Sequence, residues 1–303
     1  MRSIRRSFYV ADIDGDGFLD FVSFGDNQYS VHYGLGDGSL SPGTAVASAL
    51  CDDPRDMTVG DVDDDGKVDD VIFISRNFSG SHNFRSDGGR PTPPLTNVQQ
   101  FVPSNAVFAS SAGRLGDVDG DGILDVVLAN DGFTGVGPTL GNGQLAFQRG
   151  NGDGTFAPGV VASDLTGRAL GNVELADLDD DGALDAVALG VASGPVVFFG
   201  DGAGRFPTIV TLPPPAGVAG TTRVAIGDFT ADGLLDIVTL DDVRVVFYAG
   251  TAARSFGVPF SRTLPSAAFS VAMGDVDGDG LDDVVTSHFN TRTFNVLLSR
   301  PAP

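Results

Sequence analysis

The residues whose types and spacing could do chemistry here are aspartates. Residues 12–20 read DIDGDGFLD, with carboxylates at the first, third, fifth and ninth positions. Like charges this close repel, so the loop needs either a cation or plentiful water around it. In a tight loop the side-chain oxygens of positions 1, 3 and 5 can turn toward one point, position 7 can offer its carbonyl, and position 9 can close the cage. Glycine at position 6 allows the sharp bend. Hard oxygen donors of this kind favour Ca2+ over Mg2+, which demands a stricter octahedron. For one loop alone, a solvated acidic turn is the ordinary alternative.

The pattern does not stand alone. It returns as DVDDDGKVD from 61, DVDGDGILD from 117, DLDDDGALD from 177, DFTADGLLD from 228 and DVDGDGLDD from 275. All six copies keep the glycine, as Gly17, Gly66, Gly122, Gly182, Gly233 and Gly280. Six copies with the same internal spacing argue for bound cations, up to six of them, over solvated turns. An EF-hand starts in the same way but needs a glutamate at position 12, and that position holds Ser23, Ile72, Leu128, Ala188, Thr239 and Thr286.

The elements that must position these loops are short and repeat with them. Before each loop comes an apolar run such as SFYVA or TRVAIG, and after it another such as VIFIS or VVLAN. Both are rich in Val, Ile and Phe and too short for helices, so they read as strands. A third run, such as YSVHYG or PVVFFG, leads into a glycine turn (GLGDG, GNGDG, GDGAG), and a fourth follows it. Four strands joined by tight turns, repeated about every 50 residues, predict an all-β chain. It is read as one β-propeller domain over 1–303, with calcium loops between the first and second strands of its four-stranded antiparallel blades. Six blades are expected, or seven if the chain is a fragment, and the sixth is expected to close with strands from both termini.

The loop D-x-D-x-D-G-x-x-D between two strands, with GNGDGTFAPG at 150–159, resembles the FG-GAP or VCBS repeat. That repeat builds integrin α-subunit propellers and related fungal and bacterial lectin and adhesion propellers. The resemblance covers nearly the whole chain. It implies Ca2+ held by Asp12, Asp14, Asp16 and Asp20 in the first loop; by Asp61, Asp63, Asp65 and Asp69 in the second; and by Asp117, Asp119, Asp121 and Asp125 in the third. In the fourth the implied ligands are Asp177, Asp179, Asp181 and Asp185, and in the sixth Asp275, Asp277, Asp279 and Asp283. The fifth departs from the pattern, with Thr230 beside Asp228, Asp232 and Asp236. A neutral hydroxyl is the weaker ligand, so that loop is expected to bind least well.

These positions hold 23 of the 40 acidic residues, so the net charge of -22 is local to the loops and is not a general field acting on nucleic acid or a basic partner. Cys51 is the only cysteine, which rules out an internal disulfide and is read as a buried thiol. No apolar run is long enough to span a bilayer, and MRSIRRSF lacks the apolar stretch of a signal peptide. Enzyme chemistry finds little footing. Glu174 and Lys67 are the only residues of their types, His32, His82 and His288 fall in different repeats, and no G-x-S-x-G elbow occurs.

In a four-stranded meander the calcium loops and the GDG turns share one end, and the more variable loops lie at the other. Ligands of propellers usually sit where such loops converge. The candidates there are Arg55, Arg76, Asn77, Asn130, Asp131, Phe133, His288 and Arg292. The expected function is a calcium-binding, non-catalytic adhesion or binding module, secreted or at the cell surface, for a carbohydrate or protein partner. The alternative is a calcium-stabilised scaffold domain of a larger polysaccharide-active enzyme or surface protein.

Overall fold

The computed structural model describes residues 7–25, 28–47, 54–75, 81–85, 95–101, 110–131, 143–165, 169–190, 194–218, 220–288 and 290–299. Cys51, Arg76, Asn77 and Phe133 lie outside them. The chain divides into two compact units, Met1–Ala169 and Leu170–Pro303. Neither contains a helix among the described residues, and none is therefore long and apolar enough to cross a membrane.

The first unit holds three four-stranded antiparallel blades. Blade one is β1 (Ser7–Ala11), β2 (Asp20–Gly25), β3 (Gln28–His32) and β4 (Thr44–Ala47). Blade two is β5 (Pro54–Gly60), β6 (Asp70–Ser75), β7 (Ser81–Arg85) and β8 (Thr96–Phe101). Blade three is β9 (Ser110–Gly116), β10 (Asp125–Asn130), β11 (Gly143–Gln148) and β12 (Val160–Leu165). The first strands lie side by side, β1 against β5 and β5 against β9, as in a β-propeller.

The second unit repeats the plan. Blade four is β13 (Leu170–Ala176), β14 (Asp185–Gly190), β15 (Pro195–Phe199) and β16 (Thr208–Thr211). Blade five begins with β17 (Arg223–Gly227), β18 (Asp236–Asp241) and β19 (Arg244–Tyr248). A small hairpin of β20 (Gly250–Ala252) and β21 (Ser255–Phe256) intervenes before its fourth strand, β22 (Phe260–Thr263). Blade six shows three described strands, β23 (Ser270–Gly274), β24 (Asp283–His288) and β25 (Thr293–Leu297). Residues 7–11, expected to help close this sixth blade, instead form the first strand of blade one. The reason is the register: Ala11 pairs with Asp20, so the strand before the first loop belongs to that loop's own blade.

The second strand of each blade explains the packing. β6, β10 and β14 are buried along their whole length, which is why they read as unbroken apolar runs. Alternate residues of β6 face opposite neighbours: Val71 and Phe73 pack with Val22, Phe24 and Tyr29 of blade one, while Ile72 and Ile74 pack with Val126 and Leu128 of blade three. Phe73 meets Phe24 and Phe84 edge-on, with ring centroids 6.0 and 5.1 Å apart. In the second unit Ile237 packs toward blade four and Val238 and Leu240 toward blade six. Burial of this kind contributes about 1.5–3 kcal/mol per large side chain and fixes where each blade begins its loop.

Candidate metal centres

Each acidic loop is bent by its own side chains. The first aspartate (Asp12, Asp61, Asp117, Asp177, Asp228 or Asp275) accepts the amide of position 5 at 3.0–3.2 Å. It also accepts the amide of the position 6 glycine at 2.8–2.9 Å. The position 5 aspartate then accepts the amide of position 7, for example Ile123 on Asp121 at 2.9 Å. The six glycines carry φ of +83 to +87°, a conformation that L side chains rarely adopt.

These bends bring carboxylates together. Oxygen atoms of Asp12, Asp14 and Asp20 lie within 4.8 Å of one another, as do those of Asp61, Asp63 and Asp65 and those of Asp117, Asp119 and Asp125. The sets Asp177, Asp179 and Asp185, and Asp275, Asp277 and Asp279, do the same. The fifth loop forms no such group among the described residues. There the Thr230 amide donates to Asp236 at 2.8 Å, and the loop has one carboxylate fewer to offer.

Two observations fit these clusters to a hard divalent cation. Asp119 Oδ1 and Asp179 Oδ1, at position 3 of their loops, are buried without a hydrogen-bond partner, although a buried carboxylate oxygen normally has one. Burial also pushes the carboxyls of Asp20, Asp125 and Asp236 above their usual range, and that of Asp185 to about 6, against the amides that they accept. A divalent ion would supply the missing contact and hold these groups ionised.

The ninth aspartate also braces the blade. Asp20 accepts the amides of Ile13 and Gly34, at 2.9 and 2.7 Å. Asp125 does the same with Val118 and Gly150, Asp185 with Leu178 and Gly200, and Asp283 with Val276 and Ser299. One carboxylate therefore ties the acidic loop to the end of the third strand, so in each of these blades the loop and the turn after the third strand meet. Gly34, Gly150, Gly200 and Gly250 must be glycine for a separate reason. A Cβ would stand 2.2–2.6 Å from the carbonyl oxygens of Leu19, Leu124, Leu184 and Leu235, respectively.

In the second loop the structure places Asp70 in this bracing position. Gly60 pairs with Asp70, and the Val62 and Asp63 amides donate to Asp70 at 2.9 and 3.2 Å. Asp69 sits beside it, buried, with Oδ2 lacking a partner, and burial together with Asp70 pushes its carboxyl to about 7. The signal was in the strand: the bracing residue is the aspartate immediately before the apolar run, as in DFV, DVI and DVV.

Sequence reasoning missed the cations that attend the loops. Lys67 Nζ lies 2.8 Å from Asp65. Arg149 Nε lies 2.8 Å from Asp119, with its Nη2 on Asp121. Arg254 joins Asp179 and Asp181. Asp282 ties two blades by accepting the Asp228 amide at 3.0 Å.

The candidates at the other end are dispersed. In the first unit Arg55 is the second residue of β5, Asn130 ends β10 and Asp131 follows it. Asn130 is fully buried and accepts a hydrogen bond from Ser110 Oγ at 3.0 Å. In the second unit His288 is also buried, its ring nitrogens within hydrogen-bond distance of Ser266, Ala267, Thr286 and Asn295. Asn130 and His288 thus serve the core. Arg292 is exposed in the β24–β25 turn, with φ of +55°.

No curated protein sequence matches the chain significantly. An Agrocybe aegerita lectin, solved for its specific recognition of non-reducing terminal N-acetylglucosamine, is 21% identical with a TM-score of 0.61, over 98% of this chain and 81% of the lectin. BBS1N, solved in complex with ARL6DN, is 14% identical with a TM-score of 0.58, over 98% and 79%. The Photorhabdus luminescens Tc holotoxin pore is 19% identical with a TM-score of 0.50, over 97% of this chain but 14% of that one. At such identities the likeness concerns the fold alone. The model of the FG-GAP-like repeat matches residues 12–72, 117–188, 177–239 and 228–286, each match starting on the first aspartate of a loop. These matches take in well over half of the sequence, and the chain belongs to the FG-GAP-like repeat family.

Proposed function

We propose that this chain is a non-catalytic binding module whose loops are loaded with Ca2+ and whose partner is a carbohydrate or a protein outside the cell. The observation that carries the reading is a cluster of three loop carboxylates that recurs five times among the described residues, from positions 1, 3 and 9 in three loops and 1, 3 and 5 in two, with a buried position 3 oxygen left for an ion in the third and fourth loops. Asp12, Asp14 and Asp20 in the first loop, and the clustered aspartates of the other loops, would hold the metal. Bound calcium supplies charge that cancels the repulsion inside each loop and stiffens the first turn of each blade. Oxygen cages of this open kind suit the millimolar calcium found outside cells.

A carbohydrate partner draws support from the fold shared with an N-acetylglucosamine-recognising lectin. A scaffold role within a larger protein draws on the Tc holotoxin likeness, where the matching part is a small share of a long chain. Glycan-array binding in millimolar calcium, repeated in chelator, tests the reading. Saturable binding without product release supports recognition, whereas release of sugar from a polysaccharide would replace it with catalysis. Calorimetry showing no calcium uptake would remove the metal from the account.

A further inference from the structure

We propose that Arg254 is a tethered counter-ion of the fourth loop that surrenders its carboxylates to calcium. Metal binding at that loop then unlatches the β20–β21 hairpin from the neighbouring blade. The proposal rests on the calcium reading of the loops.

Arg254 sits at the tip of the hairpin in blade five, with φ of +59°, and reaches across to blade four. Its guanidinium pairs with Asp179 through Nε and with Asp181 through Nη2, the latter at 3.0 Å. These are positions 3 and 5 of the fourth loop. In blade three the corresponding carboxylates, Asp119 and Asp121, are held by Arg149. That arginine immediately precedes Gly150, whose counterpart in blade four is Gly200, preceded by Phe199. The guanidinium of Arg254 lies 5.1 Å from the centre of the Phe199 ring. The two blades therefore deliver an arginine fork to the corresponding two carboxylates by different routes, one from the residue just past the blade's own third strand and one from the next blade.

A fork at this point neutralises part of the loop's charge but leaves Asp179 Oδ1 buried without a partner, although the Asp179 side chain is only 3% exposed. A divalent ion that takes the free Oδ1 of Asp179 together with Asp177 and Asp185 meets a guanidinium already seated on Asp179 Oδ2, and repulsion between the two positive charges opposes its entry and favours release of the arginine. Once displaced, Arg254 no longer holds Ala253 against the groove of about 280 Å3 lined by Asp177, Leu178, Asp179, Leu234 and Leu235. The sixth loop, with no such cation among the described residues, is the internal comparison.

The test is a calorimetric calcium titration of the chelated full chain, wild type against R254Q and R254K, with D177N identifying the phase that belongs to the fourth loop. Hydrogen exchange across residues 250–256 is followed in both metal states. R254Q should tighten that phase roughly tenfold, and R254K, which keeps the charge but loses the fork, should tighten it less. Hairpin amides should exchange faster in calcium-saturated than in chelated wild type and equally in both states of R254Q. A titration of R254Q that superimposes on wild type, or hairpin exchange in wild type that calcium leaves unchanged, overturns the latch while calcium binding stands. If wild type takes up no calcium, the metal reading fails and the latch with it.

Discussion

One carboxylate oxygen of Asp125 accepts the backbone amide of Gly150 at 2.8 Å, across 25 residues of sequence, while its other oxygen accepts the amide of Val118 at 2.9 Å. The loop and the third-strand turn of blade three thus share one buried group, and this contact does not depend on a metal. Asp125→Asn presents an amide NH2 where one of the donors now points, which leaves a buried N–H unpaired and costs about 1–3 kcal/mol. Urea unfolding in chelator should show this loss. Asp117→Asn, on the exposed side of the loop, should show a smaller one in chelator and its main effect in calcium. Equal losses for the two variants in chelator would refute the bracing role of Asp125.

Gly150 sits so close to the preceding loop that an added Cβ would stand 2.2 Å from the Leu124 carbonyl oxygen, which is backbone and cannot rotate away. Gly150→Ala should therefore destabilise the chain by about 1–3 kcal/mol or more, as overpacked sites do. Gly122→Ala at the loop bend meets open space but a φ of +87°, so its penalty is one of strain, on the order of 1 kcal/mol. Thermal midpoints of the two variants rank these costs. A milder effect at Gly150 than at Gly122 would contradict the close approach.

The bends were legible in the sequence because each is made locally. A loop whose first aspartate caps amides four and five residues ahead is written entirely within DIDGDG. The strands were legible for a related reason, since a second strand buried on both faces is apolar through its middle, as in VIFI, VVLA and AVAL. Contacts across tens of residues leave no such mark. Nothing in the spacing says that Arg254 meets Asp179, 75 residues away, or that Asp282 caps the amide of Asp228. The end of the second loop was hidden more subtly. Counting nine residues from Asp61 arrives at Asp69, but the strand, not the loop, sets the register, and the strand begins with Asp70.

That register separates two neighbouring carboxylates. Asp70 braces the loop, whereas Asp69 is buried with Oδ2 unpartnered and is pushed to about 7 by burial, then by Asp70 and Asp65. Because the folded value lies above the unfolded one, Asp69 holds more protons in the folded state between about pH 4 and 7, so in chelator its ionisation erodes stability as pH rises through that window. Asp69→Asn should thus stabilise the chelated protein on the order of 1 kcal/mol at pH 8 and hardly at all at pH 4. Asp70→Asn should destabilise it at pH 8. Midpoints measured in chelator at the two pH values check both signs, and stabilisation by Asp70→Asn would reverse the assignment.

Asp56 on β5 and Arg114 on β9 form a 2.8 Å ion pair between the first strands of blades two and three, with side chains only 13% and 17% exposed. Arg114 also donates to the Gly113 carbonyl at 2.7 Å. A pair this sheltered stabilises little in net terms, because both charges lose water on burial, but removing one partner strands the other. Arg114→Met should therefore cost about 3–5 kcal/mol, and Asp56→Leu a similar amount. The double variant should recover much of that loss, since two apolar side chains replace two desolvated charges. A double-mutant cycle by urea unfolding reads the coupling directly. Additive losses would mean that Asp56 and Arg114 act on the blade interface independently of each other.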